Sequence, residues 1–156
     1  MISIAAMSEG RVLGINGKLP WPPIKEDFKW FREVTLNKTI LVGRKTYDSF
    51  GRGYLPKRQI IVASNTENWE KHNLNIEDWF YVRCGKIVPD EAPEDVIIAG
   101  GAKIYEQFLH RITEMYITHV DGKYEGDTFM PPFEHLLPKQ SVVKEFDGHR
   151  VVKYSK

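Results

Sequence analysis

Apolar residues in this chain come in short unbroken runs separated by stretches of longer period. "ISIAAM" (Ile2–Met7), "TILVG" (Thr39–Gly43), "QIIVAS" (Gln59–Ser64) and "DVIIAG" (Asp95–Gly100) lack the polar alternation of a half-exposed strand. Runs of that kind suit strands covered on both faces, as in a parallel sheet with helices above and below. "RKTYDSF" begins a helix after the second run. "GAKIYEQFLHRI" reads as an amphipathic helix, with Ile104, Phe108 and Leu109 able to share a face. A further strand is predicted over "MYITHV" (Met115–Val120). In "VVKEFDGHRVVKY", Asp147-Gly148 separates two strand-like runs, the pairing of residues that a two-residue hairpin turn favours. The fold class is therefore α/β, with a largely parallel sheet finished by antiparallel strands. Residues 66–94 show no clean period beyond a strand near 79–83.

A helix is predicted over residues 25–36, and its start poses the main question of the sequence. At about 100° per residue, Ile24, Phe28, Phe31, Val34 and Thr35 share one arc, with Trp30 at its border. Lys25, Glu26, Lys29, Arg32 and Glu33 take the other side, but Asp27 falls inside the apolar arc. A carboxylate facing apolar surface is costly without partners. Two readings stand. Acids in a first turn favour the helix dipole and can cap free N–H groups, which would account for Glu26 and Asp27 alike. Alternatively, Asp27 recognises a ligand, taking paired N–H donors with its two oxygens.

Composition narrows the partners. The 156 residues are 42% hydrophobic and 28% charged, as expected of one soluble domain spanning 1–156. A formal net charge of +1, with basic residues scattered, gives no footprint for nucleic acid or an anionic membrane. Any anionic partner is then small. Cys84 stands alone, and the five histidines show no metal-ligand spacing, so no disulfide and no metal are expected. "MISIAAM" is too short for a signal sequence or a membrane span, and a cytoplasmic protein is the expectation.

Two strand ends invite phosphate. After "DVIIA" come Gly100-Gly101 and a helix, and after "TILV" come Gly43, Arg44, Lys45 and Thr46 at the start of another. Glycine permits close backbone approach, and helix N-termini offer free N–H groups to anions. Each has an ordinary reading as a turn or a solvated helix start. Together they fit a phosphorylated ligand lying across the sheet edge. The G-x-G-x-x-G dinucleotide fingerprint is absent.

In order along the chain stand Val12-Leu13-Gly14, Leu19-Pro20-Trp21, Asp27, Phe31, Thr35, Val42-Gly43-Arg44-Lys45-Thr46, Leu55-Pro56 with Arg58, Gly100 to Tyr105, Tyr116-Ile117-Thr118-His119 and Glu125-Gly126-Asp127-Thr128. No one segment is diagnostic. The ordered set, from the first strand to about residue 132, closely resembles the dihydrofolate reductase family. The resemblance implies a mostly parallel eight-stranded sheet with flanking helices and an antiparallel C-terminal hairpin. It also implies hydride transfer from NADPH to C6 of dihydrofolate, with protonation at N5, in a monomer that binds antifolate-like molecules.

Carried over motif by motif, Asp27 would hold the pterin 2-amino group and N3, backed by Thr118, with the N5 proton arriving through water near Trp21. Ile4, Ala5, Ala6, Phe28, Phe31, Phe50 and Leu55 would wall the substrate, and Arg58 would pair with its glutamate carboxylate. Cofactor contacts would come from Ala6, Leu13, Gly14, Leu19, Gly43, Arg44, Lys45, Thr46, Ser64, Asn65, Gly100, Gly101, Ala102, Lys103, Ile104 and Tyr105. The Gly10–Leu19 loop would act as a lid, and the Gly100-Gly101 peptide would be cis. Pro22-Pro23, Ala99 and Phe50 depart from common family choices. Two other readings compete: a reductase of another pterin or pyrimidine, and a folate-binding protein without turnover. Arg58 disfavours the first, and retention of both the acid and the cofactor groups disfavours the second.

Overall fold

The computed structural model describes residues 1–50, 57–64, 71–73, 81–85 and 87–156. Its elements are β1 (Ile2–Ser8), β2 (Val12–Gly14), α1 (Lys25–Thr35), β3 (Thr39–Gly43), α2 (Arg44–Phe50), β4 (Gln59–Ala63), β5 (Lys71–Asn73), β6 (Tyr81–Gly85), β7 (Ile97–Ile98), α3 (Ala102–Phe108), β8 (Glu114–Val120), β9 (Thr128–Phe129), β10 (Lys139–Phe146) and β11 (His149–Ser155).

The sheet runs β10-β11-β8-β1-β7-β3-β4-β6-β5, with β2 and β9 pairing off this path. Neighbours from β8 to β6 are parallel, whereas β11 is antiparallel to both β8 and β10. This is the expected mixed architecture with one strand more along the path than the expected eight. The addition is β5, antiparallel to β6 at the edge. Its three residues, Lys-His-Asn, carry no apolar run, so hydrophobicity could not announce them.

The unbroken aliphatic runs have the predicted cause. On β3, Leu41 belongs to one core cluster with Met115, Ile117, Phe108 and Phe133, while Ile40 and Val42 belong to another with Ile4, Ile60 and Ile97. Both faces are covered, so alternate residues are buried in opposite directions. Trp30, Phe31 and Val34 of α1 pack on the second cluster, and α3 contributes Ile104, Tyr105 and Phe108 to the first.

Two elements are shorter than predicted. β7 holds only Ile97 and Ile98, because beyond them the chain bonds β3 alone. The Ala99 N–H donates to the Leu41 carbonyl at 3.0 Å, and the Gly43 N–H to the Gly100 carbonyl at 2.8 Å. α3 ends at Phe108 rather than running to Ile112, and turns with the Arg111 and Ile112 N–H groups on the Phe108 carbonyl. Arg111 is drawn aside there to the carbonyls of Pro89 and Ala92, at 2.6 Å each.

Candidate functional site

The helix start separates its two acids as the wheel requires. Glu26 is exposed, and Asp27 is half-buried beneath the apolar side of α1. Ile24 precedes the helix without a side-chain cap, so neither acid serves as the N-cap. Asp27 turns toward the sheet instead, where its Oδ1 accepts a hydrogen bond from Thr118 Oγ1 of β8 at 2.7 Å. Among the described residues no other protein hydrogen bond reaches the Asp27 carboxyl group. Burial pushes its carboxyl group above the ordinary value of 3.8, and the Thr118 bond and the charge of His149 pull partly back.

β1 builds the floor beside this acid. Ala6 pairs with Thr118 and Ile4 with Tyr116, so the aliphatic positions of β1 run alongside the acid's partner strand. Tyr105 of α3 donates its buried hydroxyl to the Ile4 carbonyl at 2.7 Å. Its hydroxyl is held neutral, first by burial and then by the negative charge of Asp27, both of which push its pKa upward. At the far end of α1, Arg58 is only 3% exposed. Its Nε donates to Thr35 Oγ1 at 3.1 Å and its Nη2 to the Arg32 carbonyl. Thr35 in turn donates to the Phe31 carbonyl at 2.7 Å, which ties the guanidinium to the last turn of α1. Burial first, and the nearby Arg32 second, lower the Arg58 pKa from its ordinary value.

The two glycine turns meet. Because β3 pairs with β7, the starts of α2 and α3 lie side by side. The Gly100-Gly101 peptide is cis. A Cβ on Gly101 would stand 3.2 Å from Thr46 Oγ1, and one on Gly43 would stand 3.3 Å from Ile104. Side chains there would press into the neighbouring turn, so glycine is what lets the two turns approach each other this closely. Arg44 and Lys45 are exposed at the edge of this cradle. Ser64 follows β4, the parallel neighbour of β3. The donor set suits a phosphorylated cofactor.

Between the two halves runs the Gly10–Leu19 segment, the expected lid. Ile15 and Lys18 bond each other's backbone at 2.9 Å in both directions, making a tight turn over Asn16 and Gly17. The Asn16 N–H donates to Asp127 Oδ2 at 2.9 Å, and the Thr128 hydroxyl donates to Asp127 Oδ1 at 2.9 Å. These two bonds, in that order, hold the Asp127 carboxyl group below its ordinary value. Trp21, at the exit of the lid, is 4% exposed and meets Tyr124 edge-on at 6.1 Å.

The dihydrofolate reductase family model matches residues 1–150. The chain belongs to the dihydrofolate reductase family. A dihydrofolate reductase of Buchnera aphidicola (subspecies Baizongia pistaciae) is 35% identical over 153 residues, covering 97% of this chain and 90% of that protein. One from Enterococcus faecium is 31% identical over 162 residues, covering 99% and 96%. A solved dihydrofolate reductase from Enterococcus faecalis, in complex with NADP(H) and RAB-propyl, superposes with a TM-score of 0.73. It is 24% identical and covers 99% of this chain and 94% of that one.

Apart from Trp21 and Arg58, the described residues that the dihydrofolate reductase resemblance singles out fall into three groups. Ile4, Ala5, Ala6, Asp27, Phe28, Phe31 and Thr118 lie on β1, α1 and β8, whereas Gly43 to Thr46, Ser64 and Gly100 to Tyr105 gather at the paired helix starts. Leu13, Gly14 and Leu19 belong to the lid, with Leu19 44% exposed. Leu55, Asn65 and the Phe50 side chain lie outside the described residues. Sequence reasoning quoted Asp127-Thr128 among the matching motifs but gave it no role. Only the bond from Asn16, 111 residues earlier, shows that it ties down the turn over Asn16 and Gly17. Arg11, which no motif included, reaches the carbonyls of Met130 at 2.9 Å and Pro131 at 2.7 Å through Nε and Nη2 and so pins the base of β2.

Proposed function

We infer that this chain reduces 7,8-dihydrofolate to 5,6,7,8-tetrahydrofolate with NADPH as hydride donor. The observation that supports it best is Asp27, half-buried and held by Thr118 through one oxygen, so that the other can accept from a ligand. A 2-amino group and a ring N–H placed side by side fit such a carboxylate. Thr118 orients the acid, and Phe31 and Phe28 offer flat apolar surface to the rings of the substrate, over the sheet face that carries Ile4. In this reading the N5 proton arrives through water beside Trp21, and closure of the Gly10–Leu19 loop keeps bulk water from the reacting carbon. The cradle of Gly43, Gly100 and Gly101 would receive the NADPH pyrophosphate, with Arg44, Lys45 and Thr46 toward its phosphates. NADPH supplies the hydride. The same reading makes the protein a cytoplasmic monomer, since both substrates are small soluble molecules and every proposed contact comes from one chain.

The test is oxidation of NADPH by the purified protein with dihydrofolate, followed by cofactor absorbance. Binding of dihydrofolate without oxidation would replace this reading with that of a folate-binding protein. Two substitutions probe the ends of the site. Arg58→Leu should raise the KM for dihydrofolate by about 10- to 100-fold, the worth of a hydrogen bond to a charged group, and an unchanged KM would remove Arg58 from the substrate site. Arg44→Leu should raise the KM for NADPH by roughly tenfold and leave that for NADH nearly unmoved, because one charge-assisted contact to the extra phosphate is lost. Equal losses for both cofactors would place Arg44 elsewhere on the nucleotide.

A further inference from the structure

Arg11 holds a backbone conformation that long side chains rarely adopt. It stands in the turn between β1 and β2 with a φ of +65°, in the left-handed region that suits glycine or asparagine. A residue stays in such a conformation where its surroundings over-determine it. Here the surroundings are contacts of the side chain itself. Nε donates to the Met130 carbonyl at 2.9 Å, Nη2 to the Pro131 carbonyl at 2.7 Å, and Nη1 to Glu134 Oε1 at 2.5 Å. The guanidinium carbon also lies 5.2 Å from the centre of the Phe133 ring. The Arg11 carbonyl in turn accepts the Met130 N–H at 2.8 Å, so one residue takes both backbone groups of Met130. This anchor belongs to the core. Met130 and Phe133 are buried in the first core cluster, and Phe133 meets Tyr154 of β11 edge-on at 4.9 Å. The Glu134 carboxylate is held too, its second oxygen accepting the Phe133 N–H at 3.1 Å.

The grip falls at one end of a very short ribbon. β2 and β9 meet only through Val12 with Phe129 and Gly14 with Thr128, with an irregularity between the two pairs. A two-stranded ribbon of that length has little stability of its own. At its other end the Asp127 N–H donates to the Gly14 carbonyl at 3.0 Å, and Asp127 Oδ2 accepts the Asn16 N–H at 2.9 Å. Any slip or splay at Met130 therefore carries Asp127 away from Asn16. The base and the tip of the Gly10–Leu19 segment are joined through one ribbon, and Arg11 fixes the end of it that is tied to the core.

We propose that Arg11 is a positioning residue for hydride transfer: its side chain, clamped on Met130, Pro131 and Glu134, fixes the register of the β2–β9 ribbon and so sets where the Gly10–Leu19 segment closes. The inference rests on the reading of that segment as the lid of the proposed reaction. The strained φ is the cost of placing a guanidinium fork at the one position from which it spans all three acceptors.

Hydrogen exchange at the Ile15, Asn16 and Lys18 amides, read by NMR on the ligand-free protein, tests it alongside turnover. Arg111 supplies the control. It makes the same kind of clamp, on the carbonyls of Pro89 and Ala92 and on Glu94, just before β8 begins and so at the far end of β1 from Ser8. Arg11→Leu keeps a side chain at the same φ but loses the fork, so the three amides should exchange about tenfold faster than in Arg111→Leu. Hydride transfer at saturating substrate should slow by about tenfold, with the KM for dihydrofolate within about twofold of the wild type. Arg111→Leu should lose stability to a similar degree and leave both rates near wild type. Asparagine suits a positive φ, so Arg11→Asn keeps the test open should Arg11→Leu fail to fold, and it too should release the three amides. Equal exchange in Arg11→Leu and Arg111→Leu, protection restored by asparagine, or undiminished hydride transfer despite faster exchange would each overturn the proposal. A wild type that oxidises no NADPH fails the proposed reaction instead, and the exchange comparison still upholds or overturns the clamp.

Discussion

Asparagine at position 27 should lower kcat/KM for dihydrofolate at pH 7 by about two orders of magnitude or more, the scale on which positioned acid–base groups act. Glu26→Gln, one residue away, should stay within about twofold, as surface changes do. The difference comes from the helix face: Glu26 is solvated, whereas Asp27 sits under α1 against Thr118. Asparagine can still accept from Thr118, so the geometry survives and only the charge is lost. Stability should move the opposite way. Burial raises the Asp27 carboxyl pKa from 3.8 more than Thr118 and His149 lower it. An acid with a raised folded-state pKa favours the fold most when protonated. That contribution is present below the unfolded value and is lost as pH rises through the folded one. At pH 7 the wild type carries the cost of the buried carboxylate and Asp27→Asn does not. The variant should therefore melt at a higher temperature at pH 7, with the advantage fading below about pH 4. Parallel loss of activity in the two variants, or a lower Tm for Asp27→Asn at pH 7, would contradict this account.

Alanine at Gly126 should be the most damaging small change at the lid. Its Cβ would fall 2.2 Å from Val12 Cγ1 and 2.9 Å from the Gly14 carbonyl oxygen. Val12 is 4% exposed and β-branched, with no room to swing aside, and the Gly14 carbonyl accepts the Asp127 N–H at 3.0 Å. Relief must come from separating β2 from the segment that leads into β9. The expected cost is about 2 kcal/mol in denaturant unfolding, typical of overpacking. A slower hydride-transfer step should accompany it, because Asp127 and the Asn16 N–H would no longer meet squarely. Unfolding that coincides with the wild type would show the β2–β9 ribbon to be far softer than these contacts indicate. Gly10 makes a useful contrast: its added Cβ would meet nothing within 4 Å, so any penalty there comes from its φ of +77° alone.

How far the sequence could be read depended on whether hydrophobicity or distant partners decided each feature. β3 was legible to the residue, since Thr39–Gly43 is an aliphatic run ended by glycine and buried on both faces. α1 was legible within a residue, and its wheel separated Asp27 from Glu26 before any coordinates did. β2 and β9 were not, because three and two residues cannot establish a period and their pairing spans more than a hundred positions. Of the site, the glycine turns and the acid were visible as local patterns. That Gly43 and Gly100 share a hydrogen bond, or that Arg58 docks on the end of α1, depends on strand order, which no local pattern carries.

β1, made before either of its main sheet neighbours, lies between β8 and β7. Its main neighbours are Glu114–Val120 and Ile97–Ile98, and only Ser8 has an early partner, Val12 of β2, so most of the strand waits unpaired. Pairing across so long a stretch is entropically slow. A nascent chain stalled before Ile97 therefore holds an apolar strand with most of its backbone groups unmatched, the kind of edge that recruits other chains. Neither Asp27 nor Gly43 can meet its partner before then, since Thr118 and Gly100 are themselves late arrivals. Ligands cannot rescue the early intermediates, and protection during translation has to come from speed of elongation or from chaperones rather than from substrate.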